Sequence, residues 1–83
     1  LLLLARRLDR LQALKLPENV ICAQVDVRDR EKLREAIQQA EAKYGPTDCL
    51  VNNAGVMLLG KVHTQSPDEW QQMFDTNLMG VLN

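Results

Sequence analysis

Residues 49 to 56 read Cys-Leu-Val-Asn-Asn-Ala-Gly-Val, "CLVNNAGV". Cys49-Leu50-Val51 is a short apolar run of the kind that forms a strand covered on both faces. Asn52 and Asn53 then place two amides at its exit, and Gly55 removes a side chain where the backbone turns. Asparagine and glycine are common turn formers, so a turn is the plainest reading. Two adjacent asparagines leaving a buried strand exceed what a turn needs, and a glycine just beyond them permits a ligand to approach the backbone closely.

Two further strands and three helices are legible around this stretch. Leu1 to Ala5 form a wholly apolar run. Leu8, Leu11 and Leu14 recur among polar residues, which predicts a short helix ended by Pro17 and Asn19. Val20 to Val25 is a second strand, rich in β-branched residues. Asp29 offers an N-cap for an amphipathic helix striped by Leu33, Ala36, Ile37, Ala40 and Tyr44, and Gly45-Pro46 stops it. Ser66-Pro67-Asp68-Glu69 has serine at N-cap, proline at N1 and glutamate at N3, a capping box that opens the last helix. The order strand, helix, strand, helix, strand, helix predicts an α/β fold with a doubly wound parallel sheet.

Composition bounds the function without naming it. The chain of 83 residues supports at most one small domain, and its 46% hydrophobic and 25% charged content is ordinary for a globular protein. A net charge of −1 favours neither nucleic acid nor an anionic membrane as partner. Cys22 and Cys49 lie in apolar runs without zinc-site spacing, and are read as buried, reduced thiols suited to a cytoplasmic protein. The opening "LLLLARRL" is too short to span a membrane. His63 stands alone in a loop and is read as a surface residue, with no metal site.

In open parallel sheets, ligands bind beyond the carboxyl ends of the strands. Those ends carry Arg6-Arg7, Asp26-Val27 and Asn52 to Gly55. A basic, an acidic and an amide-plus-glycine end suit the parts of a nucleotide. Arginine forms bidentate bonds to phosphate and accommodates a ribose 2′-phosphate; "ARR" alone is more often a solvated charge pair, and the order of elements tips the reading to phosphate binding. Asp26 can accept from an adenine amino group or cap the helix that begins near Asp29. Asn77 falls on the stripe of Trp70, Met73, Phe74, Leu78 and Val81, which is expected to face inward, so its amide needs a partner. A structural bond to a neighbouring loop and a functional role stand side by side there. Gly80 weakens that helix or kinks it.

The motif "LVNNAG" resembles that of the short-chain dehydrogenase/reductase superfamily, whose Asn-Asn-Ala-Gly follows an apolar strand. "LLARR" resembles that family's second strand with NADP-selecting arginines, "QVDVRD" its third strand with an adenine-contacting Asp-Val pair, and "FDTNLMG" the helix with its active-site asparagine. The resemblance covers essentially the whole chain. It implies a Rossmann-like sheet, incomplete here, with residues 1–83 as the second to fourth strands of a partial NAD(P)-binding domain. It also implies that Arg6, Arg7, Asp26, Val27, Asn53, Ala54 and Gly55 line NADP, in preference to NAD, with Asn52 more structural.

By the same resemblance Asn77 is the first member of an Asn-Ser-Tyr-Lys tetrad, its backbone carbonyl holding a water of the proton relay. The glycine-rich turn and the Ser and Tyr-x-x-x-Lys residues of the family are absent from the 83 residues. The piece alone is therefore expected to fold poorly and catalyse nothing. The implied parent is a homo-oligomer, dimer or tetramer, moving hydride between NADP(H) and a small carbonyl or secondary alcohol. "ARR" with "NNAGVMLLG" resembles bacterial enzymes acting on 3-hydroxy acids or broad carbonyl substrates. A non-catalytic nucleotide sensor on the same fold is the alternative, distinguished by a missing Tyr-x-x-x-Lys. A phosphoacceptor receiver domain ranks last, because it needs a carboxylate where "NNAG" offers amides.

Overall fold

A computed structural model describes residues 1–83. Strand β1 (Leu2–Ala5) and strand β2 (Ile21–Gln24) pair in parallel, with Leu2 opposite Ile21 and Ala5 opposite Gln24. Flanking bonds from the Ile21 amide to the Leu1 carbonyl (2.9 Å) and from the Val25 amide to the Ala5 carbonyl (3.0 Å) extend the ladder at both ends. Between the strands, helix α1 (Leu8–Gln12) makes the crossover that parallel pairing demands. It ends before the expected Pro17, because Lys15 takes a left-handed backbone with φ +47°. A helix cannot continue through that conformation.

Helix α2 (Arg30–Tyr44) follows β2 as its periodicity requires. The Asp29 carboxylate accepts from the Lys32 amide at 3.1 Å, a side-chain N-cap. Gly45, at φ +90°, stops the helix in a conformation that favours glycine. Ala36 and Ala40 are buried, Leu33 and Ile37 half-buried, and Tyr44 exposed at the last turn. Beyond the helix, the Glu41 carboxylate accepts from the Thr47 amide at 3.0 Å. That bond holds the Glu41 carboxyl below its ordinary pKa.

Cys49-Leu50-Val51 does not form the third strand. No backbone hydrogen bond involves these residues, and Leu50 and Val51 are 72% and 78% exposed. An apolar run becomes a strand only beside another strand that offers its amides and carbonyls, and the one ladder present, β1–β2, does not reach it. Cys49 is accordingly exposed rather than buried, while Cys22, within β2, is half-buried.

Residues 67–82 form one continuous helical rod. Helix α3 (Pro67–Phe74) opens on the complete capping box: the Ser66 hydroxyl accepts from the Glu69 amide (3.3 Å), and the Glu69 carboxylate accepts from the Ser66 amide (2.9 Å). It runs into a π-helical turn, Asp75–Met79, and then helix α4 (Gly80–Leu82). The apolar stripe expected to face inward does not. Trp70, Phe74, Leu78 and Val81 are 37%, 61%, 53% and 45% exposed, whereas Thr76 and Gly80 are buried. The rod turns Gly80 to the strand ends because the Val27 side chain lies there: a Cβ on Gly80 would stand 2.6 Å from Val27 Cγ2.

Candidate functional site at the strand ends

The site is built where β1, β2 and the 52–56 loop finish. Arg6 leaves β1, and its backbone carbonyl accepts from the Gln24 side-chain amide at 2.9 Å, tying the ends of the two strands together. Arg6, Gln24, Asp26, Asp29 and Lys32 line an open polar pocket of about 370 Å³. Neither Arg6 nor Arg7 is ion-paired; the two ion pairs of the molecule are Arg28–Asp26 and Lys32–Asp29, the latter at 4.0 Å. Asp26 and Asp29 share that pocket with Arg6 but are not ion-paired to it, so the exposed Arg6 guanidinium keeps donors free for a phosphate.

Asp26 is not the helix cap; Asp29 caps α2. Its Oδ1 accepts from the Arg28 amide (3.0 Å) and the Arg28 Nε (3.0 Å), while Oδ2 accepts from Nε (3.1 Å) and Nη2 (2.7 Å). The Arg28 guanidinium thereby keeps the Asp26 carboxyl below the ordinary aspartate value, against a partial burial that pushes it up. A depressed folded-state pKa stabilises the fold above the unfolded value, near 3.8, and that contribution is lost as pH falls through the folded value. Val27, between the two, packs on Gly80, and its carbonyl accepts from the Asn83 side chain at 3.0 Å.

The second half of the site joins the loop to the helical rod. The Asn77 side chain accepts from the Val56 amide and donates to the Val56 carbonyl, each at 2.8 Å. An amide so placed reads a backbone as a strand would, with one donor and one acceptor. Gly55 lies against it: a Cβ there would sit 3.3 Å from Asn77 Oδ1. Asn77 is therefore exposed rather than inward-facing, and still has the definite partner that its position demanded. It lies inside the π-helical turn, where the Gly80 amide donates to the Asp75 carbonyl, five residues back. Single π turns of this kind are frequent at functional sites.

A model of the short chain dehydrogenase family matches residues 1–83. The chain belongs to the short-chain dehydrogenases. It is 46% identical over 80 residues to an NADP-dependent 3-hydroxy acid dehydrogenase, YdfG, of Salmonella typhi, a match covering 93% of this chain and 32% of that protein. The serine dehydrogenase of Escherichia coli superposes with a TM-score of 0.86 at 38% identity, over 98% of this chain and 39% of that one. A closed form of serine dehydrogenase complexed with NADP+ gives 0.87 at 39% identity, over 98% and 34%. The chain thus spans about a third of the length of the curated relatives it matches. Its parallel strands and crossover helices are part of the Rossmann arrangement of these dehydrogenases.

Of the residues that the sequence singled out in this short-chain dehydrogenase, Arg6 and Asp26 share the polar pocket, and Gly55 meets Asn77. Arg7 opens α1 outside that pocket, and Asn52, Asn53 and Ala54 lie exposed along the loop. Val56, Gln24, Lys32 and Arg28 were not anticipated. Gln24 and Val56 act through a cross-strand and a long-range bond that no local pattern reveals. Arg28, two residues after Asp26, carried a readable signal: an aspartate followed at i+2 by a donor is the ordinary makeup of an Asx turn.

Proposed function

We propose that residues 1–83 are the middle of an NADP-dependent short-chain oxidoreductase, a partial cofactor-binding domain in a homo-oligomeric cytoplasmic parent. The parent moves hydride between NADP(H) and a small carbonyl or secondary alcohol; the 3-hydroxy acid and serine dehydrogenases among its relatives make a hydroxy acid the favoured substrate class. The observation that carries this reading is the unpaired Arg6 guanidinium at the end of β1, facing a polar pocket that Lys32 also lines. That donor set fits the 2′-phosphate that separates NADP from NAD.

When bound, the nicotinamide cofactor supplies or accepts the hydride. The chain's own residues bind and position. Arg6 and Arg7 hold the 2′-phosphate, Asp26 and Val27 form the wall beside the adenine, and the Asn53-Ala54-Gly55 backbone lies along the ribose. Asn77 fixes that backbone through Val56 and, by family resemblance, offers its own carbonyl to a relay water. Replacing both arginines by alanine in the full-length protein is expected to weaken NADP binding at least tenfold while sparing NAD, since a charge-assisted hydrogen bond contributes roughly 1.5–3 kcal/mol. Equal losses for the two cofactors, measured by equilibrium titration, would overturn the assignment.

A further inference from the structure

Gln24 is the polar residue that closes an otherwise apolar strand, Ile21-Cys22-Ala23-Gln24, and it lines the same pocket as Arg6. The backbone ladder ends beside it: the Val25 amide donates to the Ala5 carbonyl at 3.0 Å, and past that bond β1 turns toward α1. The Gln24 Nε2 group then donates to the Arg6 carbonyl at 2.9 Å, one residue beyond the last rung. That carbonyl belongs to the planar peptide joining Arg6 to Arg7, so the bond restrains the backbone from which both guanidiniums project. It is the one side-chain bond to the backbone of this turn, and Arg7, at the N-cap of α1, makes no capping bond of its own. Restraint matters here because the pocket is not uniformly basic: Asp26 and Asp29 line it beside Arg6 and Lys32. A guanidinium on a loose backbone can turn to those carboxylates, whereas a bidentate fork on phosphate needs a defined direction of approach.

We infer that Gln24 is a positioning residue for NADP selectivity, aiming Arg6 and Arg7 at the 2′-phosphate through the peptide between them without touching the cofactor itself. The inference rests on the NADP reading above and extends it to a residue outside the arginine pair. Its consequence is conditional. Losing the Gln24 donor weakens binding of NADP and spares NAD, which has no 2′-phosphate, and it does so only while the arginines are present. Alanine at positions 6 and 7 keeps the carbonyl that Gln24 holds but removes what that carbonyl aims.

The test measures dissociation constants of NADP and NAD by equilibrium titration of the full-length protein. Gln24→Met keeps the length of the side chain and removes its donor, so it is expected to weaken NADP about fivefold, the scale of one side-chain hydrogen bond, and to leave NAD within about twofold. With Arg6→Ala and Arg7→Ala already in place, the same substitution is expected to change NADP by less than about twofold, because residues that act through one another are not additive. Gln24→Thr is the second variant should Gln24→Met melt early: threonine suits an exposed strand position, cannot reach the Arg6 carbonyl, and is expected to give the same pattern. Equal losses of NADP and NAD would overturn the inference, since Gln24 would then be a general fastener of the strand ends. An unchanged NADP affinity would overturn it too. So would a loss that persists without the arginines, because the Gln24 amide would then bind the cofactor itself. Each of these results leaves the NADP reading intact. If removing the arginines weakens NADP and NAD equally, the phosphate reading itself fails, and this inference with it.

Discussion

Asn77 shows how one side chain serves two elements. Its amide closes a two-bond pair with the Val56 backbone, so the helical rod and the 52–56 loop share a fixed contact. Because the pair is exposed, water replaces part of what is lost on substitution, and a net hydrogen bond contributes about 0.5–1.5 kcal/mol. Asn77→Leu in the full-length protein is therefore expected to cost about 1–3 kcal/mol in urea unfolding. It should also lower kcat at least tenfold, about 1.4 kcal/mol of barrier, because the loop proposed to line the cofactor is no longer anchored. Stability lost with kcat intact would make Asn77 a fastener without a part in the reaction. Asn77→Ser, which retains one polar group but not its reach, is expected to behave like leucine in kcat.

At the scale of elements, Gly80 carries the closest approach. Glycine in a helix is about 1 kcal/mol worse than alanine, so Gly80→Ala would stabilise an isolated rod. Here the added methyl meets Val27 Cγ2 at 2.6 Å and Val27 Cβ at 3.2 Å. Overpacking of that kind typically costs 1–3 kcal/mol. The variant is expected to be destabilised by about 1 kcal/mol in urea unfolding, with NADP affinity reduced because Val27 adjoins the Asp26 turn. A gain in stability would mean that Val27 yields without cost. Local patterns made the helices readable: the Asp29 cap, the Gly45 stop and the Ser66–Glu69 capping box all depend on neighbours within three or four residues. The same kind of pattern misled for Cys49–Val51 and for the stripe from Trp70 to Val81. In both cases apolarity marks what a segment can bury, and burial depends on a distant partner. Asn77 was legible as a polar residue needing a partner, but Val56, 21 residues away, was not.

At the scale of the molecule, the chain buries little of what its sequence offers. Only 5 of 83 residues are buried, and none of the large side chains is fully enclosed. The radius of gyration is 15.0 Å, with extents of 48 × 26 × 18 Å, whereas a compact chain of this length measures roughly 12 Å. The two-stranded sheet leaves an edge on each side, and unpaired edges invite association with other strands. With so small an enclosed core, burial cannot offset the conformational entropy of ordering the chain, about 1–2 kcal/mol per residue for the backbone alone. The 83 residues prepared alone are therefore expected to melt without a cooperative transition in circular dichroism, to associate as concentration rises, and to bind NADP without measurable affinity. The same residues within the full-length protein should bind it. A monomeric, cooperatively melting 83-residue chain that binds NADP would mean that β1, β2 and the rod suffice as a folding unit. The pocket of Arg6 and Lys32 would then be an autonomous phosphate site rather than one completed by the rest of a dehydrogenase.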